Sequence, residues 1–323
     1  EKALGMTIGL LGFQTTIAAP VSLTGIGVHS GSPVSITFQP AEANSGIIFA
    51  RQFDDGSSAE YRAVSSQVGP TDLCTILGSS PATWVATIEH VMAALYALGI
   101  DNVTVDVDGA EMPIMDGSSY PFIDAIEQVG IVNLNVKRRY IRVIKPVRIE
   151  SGASWSEFRP HDGTRFEVEI DFASPLIGRQ SWNGELTAAR FKQDLSRART
   201  FGFMRDVERL WAAGYALGSS LENSVVISDD ETVVNVEGLR YQDEFVRHKT
   251  LDAVGDLALA GAQFIGCYRS YRGGHKMNAN ALKALLNDPT AYEIVEAPSS
   301  RVARVRAGDF VPVSVSELAP SFA

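Results

Sequence analysis

Thr87-Ile88-Glu89-His90-Val91-Met92-Ala93-Ala94-Leu95-Tyr96-Ala97-Leu98-Gly99, followed at once by Asn102-Val103-Thr104-Val105-Asp106-Val107-Asp108, decides the fold class. The first run reads as an apolar helix with Thr87 as its N-cap and Gly99 as its C-terminal stop. The alternation after it reads as a strand. Residues 243–260 give a second helix stopped by Gly261, and residues 263–270 a second following strand, so the order recurs and hints at duplication. Outward from these, residues 15–63 hold short alternating runs such as Val34-Ser35-Ile36-Thr37-Phe38 between turn-rich stretches, and residues 140–149 and 166–172 are again strand-like. A short helix is expected past Pro121, up to Gly130. Strand runs followed by helices favour an α+β architecture over a doubly wound parallel sheet. No glycine-rich phosphate loop of the Rossmann or Walker type is present.

The chain has 323 residues, enough for two domains. Residues 133–139 are polar and basic and suit a linker, which places an N-terminal domain at 12–138 and a C-terminal one at 139–308. A net charge of −10 excludes a general nucleic-acid binder, which needs a basic face for phosphates. Two cysteines, Cys74 and Cys267, give no disulfide framework and fit a reducing compartment, so the cytoplasm is expected. No run reaches the ~18 apolar residues of a membrane span, and residues 6–21 make a poor signal peptide.

His248-Lys249-Thr250-Leu251-Asp252 is the sharpest chemical signal, because a helical offset of four puts imidazole and carboxylate on one face. Asp256 extends that stripe by a turn. Such a donor pair suits Zn²⁺ if a third ligand comes from elsewhere, and is equally an ordinary helix-surface pair. His90 stands beside Glu89 at the start of a helix carrying Ala93, Ala94 and Ala97, which would let another element approach closely; a satisfied core histidine is the alternative. His275 follows Gly273-Gly274 in what reads as a flexible turn through Asn280, leading into a helix. Three of the chain's five histidines, far apart in sequence, are thus candidates for one site built from both halves.

The chain resembles the UDP-3-O-acyl-N-acetylglucosamine deacetylases, the enzymes that commit Gram-negative bacteria to lipid A synthesis. The resemblance runs over nearly the whole chain. It is carried by Gly25-Ile26-Gly27-Val28-His29-Ser30-Gly31, the Thr87 to Leu95 run, Glu111-Met112-Pro113-Ile114-Met115-Asp116-Gly117-Ser118, Ser196-Arg197-Ala198-Arg199-Thr200-Phe201-Gly202-Phe203, Arg247-His248-Lys249-Thr250-Leu251-Asp252-Ala253-Val254-Gly255-Asp256-Leu257 and Gly274-His275-Lys276-Met277-Asn278.

The resemblance implies two similar α+β domains, each a layered β-α-α-β unit, with helices sandwiched between the sheets and the active site at the domain interface. It implies Zn²⁺ on His90, His248 and Asp252, with Fe²⁺ as a substitute in the cell. Glu89 matches the general base, His275 the general acid, Asp256 its orienting partner, Thr200 a hydroxyl that polarises the scissile carbonyl, and Lys249 a substrate contact. Lys145 and Arg272 would meet the nucleotide diphosphate; Arg272 stands where the family commonly has lysine, which alters the contact from a point charge to a planar fork. An insert at 202–232, with Phe201, Met204, Val207 and Trp211, would pass the acyl chain, although its apolar residues also suit an ordinary amphipathic helix. The expected reaction is hydrolysis of the N-acetyl group of UDP-3-O-(3-hydroxyacyl)-N-acetylglucosamine by a monomeric enzyme with neither a nucleic-acid partner nor a transmembrane segment. A non-catalytic zinc-binding protein and an amidohydrolase for another acylated amino sugar are the alternatives. Cys74 reads as a buried apolar residue or a contact for an adventitious second metal.

Overall fold

The computed structural model describes residues 12–296 and 311–312. In the first half the alternating run becomes the strand Pro33–Pro40, which buries Val34, Ile36 and Phe38 on one face. It lies in a five-stranded sheet ordered Val21–Ile26, Pro33–Pro40, Val103–Val107, Ile47–Gln52 and Ser58–Arg62. Only the pairing of Ile47–Gln52 with Val103–Val107 is parallel. The second half holds a larger mixed sheet around Gln263–Tyr271, which pairs in parallel with both Thr164–Asp171 and Arg139–Val143 and antiparallel with Ser154–Arg159. Arg179–Glu185, Val147–Ser151, Tyr292–Glu296 and Val311–Pro312 complete it.

Six α-helices are described: α1 Glu89–Leu98, α2 Tyr120–Val129, α3 Ala188–Asp194, α4 Met204–Ala212, α5 Glu244–Leu257 and α6 His275–Leu286. Every residue of α1 is buried, and in α5 only Arg247 and Lys249 are not. Helices without a solvent face must be covered on all sides. α1 packs on α5 and α2, while α5 also packs on Thr164–Asp171, Arg179–Glu185 and α6. The result is the α+β fold expected, with helices enclosed between sheets. Gly99 and Gly261 end the two buried helices in left-handed conformations, with φ of 70° and 77°.

The approach of α5 to α1 is set by one glycine. A Cβ at Gly255 would lie 2.0 Å from the carbonyl oxygen of Glu89 and 2.8 Å from its carbonyl carbon, both rigid backbone.

Three local expectations are corrected. Thr87 does not cap α1: it has φ 58°, and Ile88 occupies the N-cap position without a side-chain cap bond. A β-branched residue in that region is strained, and the strain sits at the foot of the helix that carries Glu89 and His90. Most of the stretch read as a linker belongs to a strand, Ile131–Lys137, paired antiparallel with Phe13–Ile17. Polar residues are compatible with a strand there because this strand is the open side of the ribbon, with Val132, Asn133, Asn135 and Lys137 exposed while Gln14 to Ile17 of its partner are buried. Arg138, read as part of that linker, is instead 1% exposed, ion-paired with Asp101 at 2.9 Å and donating to the Gly99 carbonyl at 2.6 Å. Finally, the glycine turn stops at Gly274 and His275 is already the first residue of α6. The C-terminal bound at 308 lies outside the described residues, as do residues 1–11.

Gly255→Ala is expected to destabilise the protein by about 3 kcal/mol, the upper end for overpacking, because backbone rather than a flexible side chain must give way. Urea unfolding of the two proteins measures it; a change below about 0.5 kcal/mol, ordinary for a neutral substitution, would contradict the close contact.

Candidate metal centre and catalytic site

The i,i+4 spacing within α5 places His248 Nε2 3.3 Å from Asp252 Oδ1, and α1 brings His90 Nε2 to 3.6 Å from the same oxygen. The three ligand atoms lie within 4.8 Å of one another, and all three residues are buried. The Nδ1–H of His248 donates to the Ala198 carbonyl at 2.9 Å, which leaves Nε2 as a lone-pair donor. The two imidazoles meet edge to face at 4.9 Å between centroids. Asp252 Oδ1 is buried without a hydrogen-bond partner. Burial alone would raise the Asp252 pKa, but His248 and His90 hold it well below the usual carboxylate range. A bare anionic oxygen between two imidazole nitrogens is an electrostatic demand for a cation. Ligand arms of about 2 Å in a tetrahedron give edges of about 3.3 Å, close to the spacings seen, so the residues fit a zinc-sized ion.

Beside the triad stand the two groups expected to handle protons. Glu89, 3% exposed, accepts from the Thr75 backbone N–H through Oε2 at 3.0 Å, and its Oε1 lies 3.7 Å from His275 Nε2. Burial pushes the Glu89 pKa up, while His275 and His90 draw it back. The other nitrogen of His275, Nδ1, donates to Asp256 Oδ2 at 2.9 Å. Burial disfavours the imidazolium, but Asp256 and Glu89 outweigh it and raise the His275 pKa to about 10. Asp256 also accepts from the Thr75 hydroxyl at 2.5 Å and from Asn278 Nδ2 at 2.8 Å. Asn278 is itself held by the Tyr268 hydroxyl at 2.6 Å.

The triad and this pair form the floor of a cavity of about 370 Å³. Thr200 and Phe201 line it, as do Val207 and Leu210 from α4 with Phe172 and Phe203. Lys249 stands at the rim with Nζ 3.6 Å from Asp252 Oδ2 and over the Phe201 ring at 5.9 Å. A second, more open cleft shares Leu73, Lys249 and His275 with the first and adds Arg272 and Lys276, which make it cationic.

Three expected contacts fall elsewhere. Met204 and Trp211 are not among the lining residues: Phe203, Asp206, Val207 and Leu210 follow the helical period on the cavity side, and 204 and 211 fall off that stripe. Trp211 is 51% exposed, its indole N–H bonded to the Ala216 carbonyl. Lys145 lines neither cavity and is tied to Asp288 at 2.9 Å and to Thr290. Thr75 and Phe172 carried no signal of their own in the sequence, and Asn278 only as the last residue of the Gly274 to Asn278 motif, since each matters through tertiary contact. Cys74 lines the cavity with its thiol pushed up to about 12 by burial and by the charge of Glu89, so it stays protonated. The loop after α4 is fixed to the first half by backbone bonds, Leu217 N–H to the His29 carbonyl at 3.1 Å and Gly218 N–H to the Val28 carbonyl at 3.0 Å.

A buried His₂Asp ligand set, flanked by a carboxylate and a histidine at the base of a part-apolar cavity, defines a metal-dependent hydrolase. A family model described as UDP-3-O-acyl N-acetylglycosamine deacetylase matches residues 14–287. Curated proteins named UDP-3-O-acyl-N-acetylglucosamine deacetylase are similar throughout: those of Brucella ovis and Brucella abortus are 60% identical over 285 residues, covering 88% of this chain and 99% of theirs. That of Brucella melitensis biotype 2 is 59% identical over the same length. The chain belongs to the UDP-3-O-acyl-N-acetylglucosamine deacetylase family.

Replacing His90, His248 or Asp252 by Ala is expected to abolish stoichiometric metal binding, read by elemental analysis after dialysis against a weak chelator; full retention in any variant removes that residue from the ligand set. His275 supplies a separate pH signature. Its pKa is raised from 6.5 to about 10, so the native state binds the proton more tightly than the unfolded chain. The stabilisation is whole below about 6.5, declines above it and is gone beyond about 10. Urea unfolding of metal-free protein should therefore show stability falling between pH 7 and 10, with a shallower fall in His275→Ala.

Proposed function

We propose that the protein hydrolyses the N-acetyl group of UDP-3-O-(3-hydroxyacyl)-N-acetylglucosamine to acetate and the free amine, the committed step of lipid A synthesis. The observation that carries the proposal is the placement of Glu89 and His275 3.7 Å apart beside the triad, at the meeting of an apolar cavity and a cationic cleft. Family membership supports the same substrate.

The triad is assigned to Zn²⁺, with Fe²⁺ as the alternative occupant, because imidazole and carboxylate donors suit both. When bound, the ion supplies Lewis acidity, polarising the acetamide carbonyl and lowering the pKa of water to about 7. Glu89 takes the proton from the attacking water as the new C–O bond forms. The Thr200 hydroxyl donates to the developing oxyanion. His275, held as imidazolium by Asp256, delivers a proton to the departing amine nitrogen as the C–N bond breaks. Lys249, Arg272 and Lys276 face the diphosphate. The acyl chain runs past Phe201, Val207 and Leu210. Lys145 enters this scheme only if its bond to Asp288 opens.

We divide the chain into working units at 12–138 and 139–308, with Glu89 and His90 from the first and the remaining site residues from the second. We place the enzyme in the cytoplasm as a monomer. Two free, buried cysteines support a reducing compartment, and no described helix is long and apolar enough to cross a membrane.

Incubation with the nucleotide substrate is expected to release one acetate per sugar, and the same sugar without its nucleotide should be a poor substrate; no acetate release from either would overturn the assignment. Glu89→Gln and His275→Ala should each lower kcat by about 10² to 10⁴ with metal retained. The basic limb of the kcat/KM profile should change in His275→Ala; an unaltered limb assigns the acid elsewhere. Val207→Asp should penalise long acyl chains more than short ones, at about 0.8 kcal/mol per methylene that loses its apolar wall. Trp211→Asp, off the lining stripe, should show little such dependence.

A further inference from the structure

Thr75 lies in the loop between the turn Ser65–Gln67 and α1, and is 2% exposed. Each of its polar groups is engaged at the site. Its N–H donates to Glu89 Oε2 at 3.0 Å, and its carbonyl accepts from the Ile88 N–H at 3.3 Å at the foot of α1. Its hydroxyl donates to Asp256 Oδ1 at 2.5 Å and lies 3.3 Å from His275 Nδ1. Among the described residues, only Thr75 hydrogen-bonds to both Glu89 and Asp256.

We propose that Thr75 is a positioning residue that joins the base to the acid across the two halves, fixing the Asp256 carboxylate and through it the His275 ring. The inference rests on the deacetylase reading. Asp256 receives donors on both oxygens, Thr75 on Oδ1 and His275 with Asn278 on Oδ2. Two-sided donation fixes the plane of a carboxylate, whereas donation to one oxygen leaves it free to turn. The His275 ring follows that plane because its Nδ1–H points into it, and ring orientation decides whether Nε2 stays near Glu89 and the leaving nitrogen. Glu89, by contrast, is held by the Thr75 backbone, which a side-chain substitution leaves in place. The hydroxyl therefore acts on the acid alone.

Thr75→Val keeps the shape and removes the hydroxyl. The expected result is a loss of kcat of about 10- to 100-fold, the range for a lost bond to a charged group, with KM, metal content and melting temperature close to wild type. Thr75→Ser should recover kcat to within about threefold, because it restores the donor. In an Asp256→Asn background the Val substitution should add less than about threefold, since residues acting through one partner are not additive. A Val variant within twofold of wild-type kcat, an equal effect in both backgrounds, or loss of metal would each overturn the role. Should the Val protein fail to fold, Thr75→Ala against Thr75→Ser decides: Ser fast and Ala slow supports the hydroxyl, and equal rates overturn it. Absence of acetate release by the wild-type protein in the same assay would strike the reaction assignment instead.

Discussion

The contact between α1 and α5 is the constraint from which the site follows. Gly255 lets the backbone of one buried helix rest on the carbonyl of Glu89 in the other, and the residues beside that contact are those assigned to the metal and to proton transfer. Glu89 is followed by His90, and Gly255 by Asp256, with Asp252 and His248 one and two turns back along the same helix. Helices satisfy their interior backbone groups internally, so two of them can lie in the middle of the protein and leave only side chains to be partnered. A sheet edge or loop at the same depth would bring unpaired amides into the same space.

Burying this much charge requires balance. Glu89, Asp252 and Asp256 bring three carboxylates to the floor of the cavity, and His275 provides one compensating imidazolium. The remainder is negative charge for a bound cation to balance, and Asp252 Oδ1, buried with no hydrogen-bond donor, lies between the two imidazole nitrogens that would share that cation. Removing one member of such a set strands the rest, which costs far more than an exposed ion pair contributes.

Much of this was legible in the chain. The periodicity of α5 put His248, Asp252 and Asp256 on one stripe, and the glycine stops at 99 and 261 fall where the helices end. What could not be read were relations between distant segments. Nothing in the composition of residues 133–138 separates a solvent-facing strand from a linker, or marks Arg138 as fully buried. The conformation of Thr87 is imposed by its neighbours against its own preference, so propensity pointed to a cap. In α4 the helical period could be read, but not which of its residues meet the cavity: Val207 and Leu210 line it and Met204 and Trp211 do not, because the period defines a face without saying what that face packs against.

The loop after α4 is tied to the first half through main-chain bonds at Leu217 and Gly218. Main-chain attachments are indifferent to side-chain identity, apart from Gly218, where a Cβ would meet the Gly27 carbonyl oxygen at 2.2 Å. The wall of the cavity can therefore change residue by residue while its anchorage stays fixed. On the proposed deacetylase reading, substitutions in this wall would retailor the fit to acyl chains of different length without disturbing the residues assigned to the metal and to proton transfer.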